Sequence, residues 1–341
     1  MDRSPTELFV RLRPTGPWRV GADSGDRDRV ERIYHSDSLY SAVSIAMARL
    51  GMLEEWLAAT ATAAEPAVRF SSCFPFHGDT IYVTPPRHLW PPPPSSKVRW
   101  KGARFVPLSL VESLAGGQPV SEEGWAVDGA SETLIAMGTQ GPFRVSVRSS
   151  AAVDRGGAGV TPHSSACLEF APNAGLWTTI LFTDDAAREI WKDRVAGALR
   201  WLSDSGFGGE RSRGWGHAEI EFSESATPLP RHEANGETGW WLLSLFYPSA
   251  EDSIDWSRGN YSVVARGGRV ESSAGWGLPK RATRMIAEGS VLASSLEPRG
   301  AATDVAPEGF PHPVYRWGRA LALPIPLKPE PSKPEPSRIS A

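Results

Sequence analysis

Ser205-Gly206-Phe207-Gly208-Gly209-Glu210-Arg211-Ser212-Arg213-Gly214-Trp215-Gly216 places five glycines, two arginines and an indole in twelve residues. Glycine at this density tolerates positive φ and lets backbone N–H groups come close to a ligand. Arg211 and Arg213 add forked donors suited to phosphate, and Trp215 adds an aromatic face. The wording is wrong for a nucleotide enzyme. Gly206 and Gly208 start a G-x-G-x-x-G, but Arg211 stands where its third glycine belongs, and Trp215 follows Gly214 where a P-loop requires lysine. The local order is also helix, loop, strand, the reverse of both nucleotide motifs. The stretch reads as a loop that grips a polyanionic backbone.

Working outward, Asp184 and Asp185 open the preceding helix, Ile190, Trp191, Val195, Ala198 and Leu202 give it an apolar face, and Gly206 ends it. His217 to Phe222 reads as the strand after the loop. Leu8 to Arg13 reads as a first strand. A helix follows from about Ser36 to Leu50, with Leu39, Val43, Ala46, Met47 and Leu50 at helical spacing and Gly51 as its stop. Val68 to Phe74, Thr80 to Thr84, Cys167 to Phe170 and Leu176 to Phe182 read as strands. Between them, from Pro85 to about Thr161, the pattern dissolves into proline, glycine and serine with a basic run over Lys97 to Arg104, and reads as a large irregular insertion. With the insertion set aside, the order approaches the split βαβ arrangement of ferredoxin-like domains. Trp240 to Phe246 opens a second unit with further strands at Tyr261 to Arg266 and Ala320 to Ile325, and Lys328 to Ser337 alternates proline as an unfolded tail.

The 341 residues suffice for two compact units. A formal charge of −3 excludes a generally basic coat protein but leaves room for a local basic groove. Cys73 and Cys167 lack metal-ligand spacing and read as two reduced, buried thiols. No His-x-x-x-His or Cys-x-x-Cys pairing is present, so no metal site is expected. Met1 to Pro5 lacks an apolar signal core and no apolar run is long enough to span a membrane, which gives a cytoplasmic expectation.

Six segments in chain order resemble the RAMP superfamily, and within it the fourth-subunit family of type III-A CRISPR Csm effector complexes. They are His35 to Ala42, Ala152 to Arg155, Gly206 to Gly216, Leu242 to Pro248, Met285 to Leu292 and Val314 to Gly318. Two departures are visible: Glu210 replaces the usual basic residue of the loop, and Ser149, Ser150 and Ala151 precede the Asp154-Arg155 match. The resemblance implies an α+β chain of two ferredoxin-like (RRM-like) domains, with the glycine-rich loop and a large insertion in the first. Residues 1–227 would form the first domain with a thumb-like insertion at about 85–161, residues 238–326 the second, and 327–341 a disordered tail. It implies a non-catalytic subunit without cofactor, capping the repeat-derived 5′ tag of the crRNA. The partners implied are the large polymerase/cyclase-like subunit and the backbone RAMP subunit, with no membrane.

On that reading the amides of Gly208 and Gly209 and the side chains of Arg211, Ser212 and Arg213 hold phosphates, next to Gly214. Trp215 fits either a stacking platform or the core. Arg148, with Arg144 nearby, and the Asp154-Arg155 pair are RNA contacts where the insertion rejoins the domain. Lys280, Arg281 and Arg284 form a positive patch for the tag backbone in the second half. His35 and Ser36 sit at a helix start, where free amides hold a phosphate or secure the turn. The enzyme alternative, a metal-independent endoribonuclease processing precursor crRNA, would use His35 as acid or base. A third reading is a scaffold that makes protein contacts alone.

Overall fold

The computed structural model describes residues 6–21, 26–92, 100–154, 159–224, 229–230, 237–272 and 274–327. β1 (Glu7–Pro14) buries Leu8, Phe9, Val10 and Leu12. Both of its edges are paired, since it lies mid-sheet between β10 (Ala174–Phe182) and β11 (Ala218–Ser223). The antiparallel sheet runs β11-β1-β10-β3-β4-β5, with β3 (Phe74–His77), β4 (Thr80–Val83) and β5 (Val106–Pro107). β2 (Val68–Phe70) pairs further along β10.

α1 (Ser36–Arg49) buries Leu39, Val43, Ala46 and Met47 of the stripe its spacing predicts and adds Tyr40, whereas Leu50, just past the last turn, is 43 % exposed. The short α2 (Leu53–Thr60), which no periodicity announced, adds the fully buried Trp56. α4 (Asp185–Ser205) is capped where its sequence says, the Asp184 carboxylate accepting the Ala187 amide, and it ends on Gly206 at φ 94°.

The described residues of the stretch 85–161 hold more regular structure than expected. Besides β5 it holds α3 (Leu108–Ala115), a hairpin of β6 (Trp125–Asp128) and β7 (Thr133–Ala136), and a long hairpin of β8 (Phe143–Asp154) and β9 (Gly159–Phe170), twelve residues per strand. The expected strand over Cys167–Phe170 is the end of β9. The hairpin escaped detection because Ser146, Ser149, Ser150, Ser164 and Ser165 dilute any apolar alternation. Its order comes from the backbone ladder and from anchorage at its base, where Phe143, Leu168 and Phe170 meet Trp18 and Phe105.

From Thr238 onward the regular elements of the described residues are all strands: β12 (Thr238–Leu242), β13 (Asp255–Asn260), β14 (Val263–Arg266), β15 (Arg269–Ser272), β16 (Gly275–Pro279), β17 (Thr283–Ile286), β18 (Val291–Ala293), β19 (Gly300–Asp304), β20 (Tyr315–Arg319) and β21 (Ala322–Pro326). A four-stranded sheet runs β13-β18-β12-β21, and β14-β17, β15-β16 and β19-β20 form two-stranded pairs. Among the described residues of this half there is no helix, so the two helices that an RRM-like second domain requires are not found. The physical reason is composition. Gly267, Gly268, Gly275, Gly277, Pro279, Pro298, Gly300, Pro307, Pro311 and Pro313 leave few runs long enough to nucleate a helix.

The halves share one core. Trp317 of β20 stacks on Tyr40 of α1 with centroids 4.2 Å apart, and Tyr40 stacks in turn on Trp56 at 5.6 Å. Backbone bonds also cross, Ser72 donating to the Leu243 carbonyl at 2.8 Å and Arg87 to that of Gly289 at 2.9 Å. Cys73 and Cys167 are buried free thiols. No helix of the described residues is long and apolar enough to cross a membrane.

Candidate nucleic-acid interface

The glycines of the loop are fixed first by backbone packing. Gly208 stands at φ 72°, and a Cβ there would lie 2.3 Å from the Arg19 carbonyl oxygen; at Gly216, with φ 85°, a Cβ would lie 2.1 Å from that of Phe207. The loop is strapped to the segment after β1. The Gly209 amide donates to the Arg19 carbonyl at 2.9 Å, and the Gly216 amide to that of Pro17 at 2.9 Å. The Gly209 N–H, expected on a phosphate, is therefore already committed. Phe207 is buried and stacks on Trp18 at 5.1 Å. Trp215 is 8 % exposed, so of its two readings the core one holds in this conformation.

What the strapped base presents outward is a short crest. Glu210 takes the left-handed conformation at φ 61°, Arg211–Arg213 form one turn of 3-10 helix, and Gly214 closes it at φ 77°. Ser212, Arg213 and Gly214 are exposed. Arg211 reaches Glu271 of β15 at 3.1 Å, and Arg213 Nε lies 3.1 Å from Glu210. The Arg213 guanidinium also meets the long hairpin, at His163 Nε2 (2.6 Å) and Ser150 Oγ (3.5 Å).

That hairpin contact extends the basic surface. Ser150, Arg148, Ser146 and Arg144 alternate along β8, so their side chains share one face. Arg144 and Arg148 each clamp one oxygen of Glu169 through Nε and an Nη, at 2.8 to 3.1 Å. Those bonds, from Arg148 first and then Arg144, hold Glu169 below the ordinary carboxylate range. Beneath them lies a groove of about 670 Å³ lined by Arg144, Arg148, Phe143, Phe170, Gly16 and Gln140. Asp154 closes the described part of β8 opposite Gly159, and Arg155 lies outside the described residues, as do Lys97 to Arg99 and the tail from 328.

The second-half patch is less uniform. Arg281 donates to the Asp304 carbonyl at 2.9 Å, Lys280 is half-buried, and Arg284 projects exposed from β17.

His35 and Ser36 lie elsewhere, inside the joint between the halves. His35 is 8 % exposed, with Nε2 2.8 Å from Glu31 and Nδ1 2.7 Å from Glu288. Burial opposes its charge, but Glu288 and Glu31 raise its pKa to about 9. The Ser36 amide donates to Ser72 Oγ at 2.8 Å, and its hydroxyl accepts the Leu245 amide at 3.0 Å. Asp37 is gripped by Arg266 through two bonds of 3.1 Å and by Arg316. Burial opposes that carboxylate too, yet Arg266 and Arg316 hold it well below the usual range. Three acids thus face three bases within the joint. Both expected roles that put His35 and Ser36 against RNA meet the same obstacle, because these side chains are enclosed and their polar atoms are satisfied by protein. The partners Glu31, Glu288, Arg266 and Arg316 carried no sequence signal beyond the helix-start motif and the Glu288-Gly289-Ser290 segment.

Comparison with known proteins sharpens the picture. Residues 235–325 match the family described as the CRISPR Csm4 C-terminal domain. Over 344 aligned residues the chain is 25 % identical to the Csm4 protein of the CRISPR system of Thermococcus onnurineus (strain NA1), covering 95 % of this chain and 98 % of that protein. The chain is similar to Csm4 over nearly its whole length, and residues 235–325 carry the match to the Csm4 C-terminal domain. A chain of a solved Csm3–Csm4 subcomplex of the type III-A CRISPR-Cas interference complex superposes with a TM-score of 0.61 at 16 % identity, covering 94 % and 99 % of the two chains. A Csm1–Csm4 cassette in complex with pppApA gives a TM-score of 0.57 at 18 % identity, covering 94 % and 98 %. The fold shared with these chains therefore extends across both halves of this chain. Among the described residues no group of three or more His, Cys, Asp or Glu side chains is placed to hold a metal ion.

Proposed function

We propose that this Csm4-like chain is a non-catalytic RNA-binding subunit of a type III-A CRISPR effector complex, holding the repeat-derived 5′ tag of the crRNA. It would join a Csm1-type large subunit to a Csm3-type backbone subunit, the two partners named with Csm4 in the solved complexes. The reading rests on one observation: Arg213 of the glycine loop touches Ser150 on the face of β8 that also carries Arg148 and Arg144. Crest and hairpin thereby form one basic track along which phosphates can be held in series. Ser212 and Gly214 belong to that track, and Arg155 and the patch of Lys280, Arg281 and Arg284 are assigned to the same strand on resemblance. The order β11-β1-β10-β3 with α1 and α4 supports a ferredoxin-like first unit over 1–227, with residues 238–326 as the second.

Replacing Arg211 and Arg213 together by alanine tests this. Charge-assisted bonds to phosphate predict about 10- to 100-fold weaker binding of the co-purifying RNA, and a shallower salt dependence by about 0.7 in log–log slope per lost contact. Undiminished crRNA retention in the variant would count against the reading. The nuclease alternative predicts cleavage of repeat RNA by the chain alone and its loss in His35→Ala. The enclosed His35 does not favour it.

A further inference from the structure

Each arginine of the basic track is already occupied by a carboxylate. Glu271 offers both oxygens to one Nη of Arg211, at 3.1 and 3.3 Å, and comes from the C-terminal half, 60 positions away. Glu210 lies against Arg213, and Glu169 takes both Arg144 and Arg148. None of these carboxylates builds the core. The Glu271 side chain is 41 % exposed and that of Arg211 33 %. Such a partly exposed pair adds little to stability, while the Glu169 and Glu210 side chains are more enclosed, at 20 % and 19 %. These carboxylates present to guanidinium the same paired oxygens that a phosphate would, so carboxylate and phosphate compete for the same donors. Four arginines against three carboxylates leave the track only weakly positive, in keeping with the chain's formal charge of −3.

We infer that Glu271, with Glu169 in the same role on the hairpin, is an internal competitor for RNA phosphate that sets an affinity threshold on the track. The inference rests on the RNA-binding reading of the loop. An RNA that makes one or two phosphate contacts exchanges one partner for another with little gain. A strand that engages several arginines together, and adds base contacts, overcomes all the exchanges at once. The carboxylates also keep each guanidinium aimed outward from the backbone, so little side-chain entropy remains to be lost on binding.

The test uses the full-length chain and fluorescein-labelled oligouridine, with the co-purifying RNA as second probe. Glu271→Gln keeps the shape and one acceptor oxygen while removing the charge. Oligouridine binding should tighten about two- to fivefold, with a steeper dependence on salt, and the gain should vanish when Arg211→Ala is added. Glu169→Gln gives the same readout should the Glu271 variant fold poorly, thermal melting being the control. Wild-type binding left unchanged or weakened by both glutamines overturns the inference and leaves these carboxylates as positioners of the arginines. If neither probe binds wild type or any variant, the RNA-binding reading itself fails and takes this one with it.

Discussion

His35 is held between Glu31 and Glu288 and completes a buried set of charges that balances only while its ring is protonated. Its folded pKa of about 9 lies above the ordinary value of 6.5, so its contribution is fully present below pH 6.5 and is lost as pH rises through 9. Over that window the linkage amounts to about 3 kcal/mol. Thermal melts from pH 6 upward should therefore fall by several degrees on approaching the alkaline end, and His35→Gln should melt lower at pH 6 with a flatter profile. Identical pH profiles for the two proteins would sink this assignment. The carboxylates act in the opposite direction. Asp37, Glu31 and Glu288 all have lowered pKa values, so their contribution is lost as pH falls below the carboxylate range. Most of this cluster was illegible in the chain, since Arg266 and Arg316 lie more than 200 positions from Asp37 and no local pattern links them.

At the scale of elements, the glycine loop separates two reasons for a glycine. Gly216 and Gly208 are needed because a carbonyl oxygen occupies the place of a Cβ, whereas Gly214 at φ 77° has open space around it. Gly214→Ala should lower stability by about 1 kcal/mol, from backbone conformation alone. Gly216→Ala adds a collision that a packed backbone cannot relieve, and should exceed about 3 kcal/mol. Denaturant midpoints read the difference, and equal losses at the two sites would show that the loop is not strapped as described. The loop's existence, its place between helix and strand, and its two arginines were legible, because glycine spacing and a helix cap are local signals. Its polarity was not. Which amides face a ligand and which face Arg19 depends on a segment about 190 residues earlier in the chain. The long hairpin shows the same limit, as β8 and β9 carry too many serines to betray a strand, and it is their mutual pairing that orders them.

In the whole molecule, the stack of Trp317 on Tyr40 and Tyr40 on Trp56 makes the all-strand half part of the helical half's core. Trp317→Ala should remove about 3 to 5 kcal/mol, and both halves should lose cooperativity together. Calorimetry in which the first half melts unchanged would argue for independent units. The sequence alone determined the central strands β1, β10 and β11, the bounds of α1 and α4, the glycine crest with its arginines, and the resemblance that the Csm4 match bears out. All of these are written in spacings of a few residues. Tertiary structure alone decided that the second half is built without helices in its described residues. It alone enclosed His35 and Ser36 in the joint between the halves, and gave the track arginines their carboxylate partners. Those outcomes follow from contacts between distant residues, whose energy depends on burial and geometry that no local run of sequence encodes.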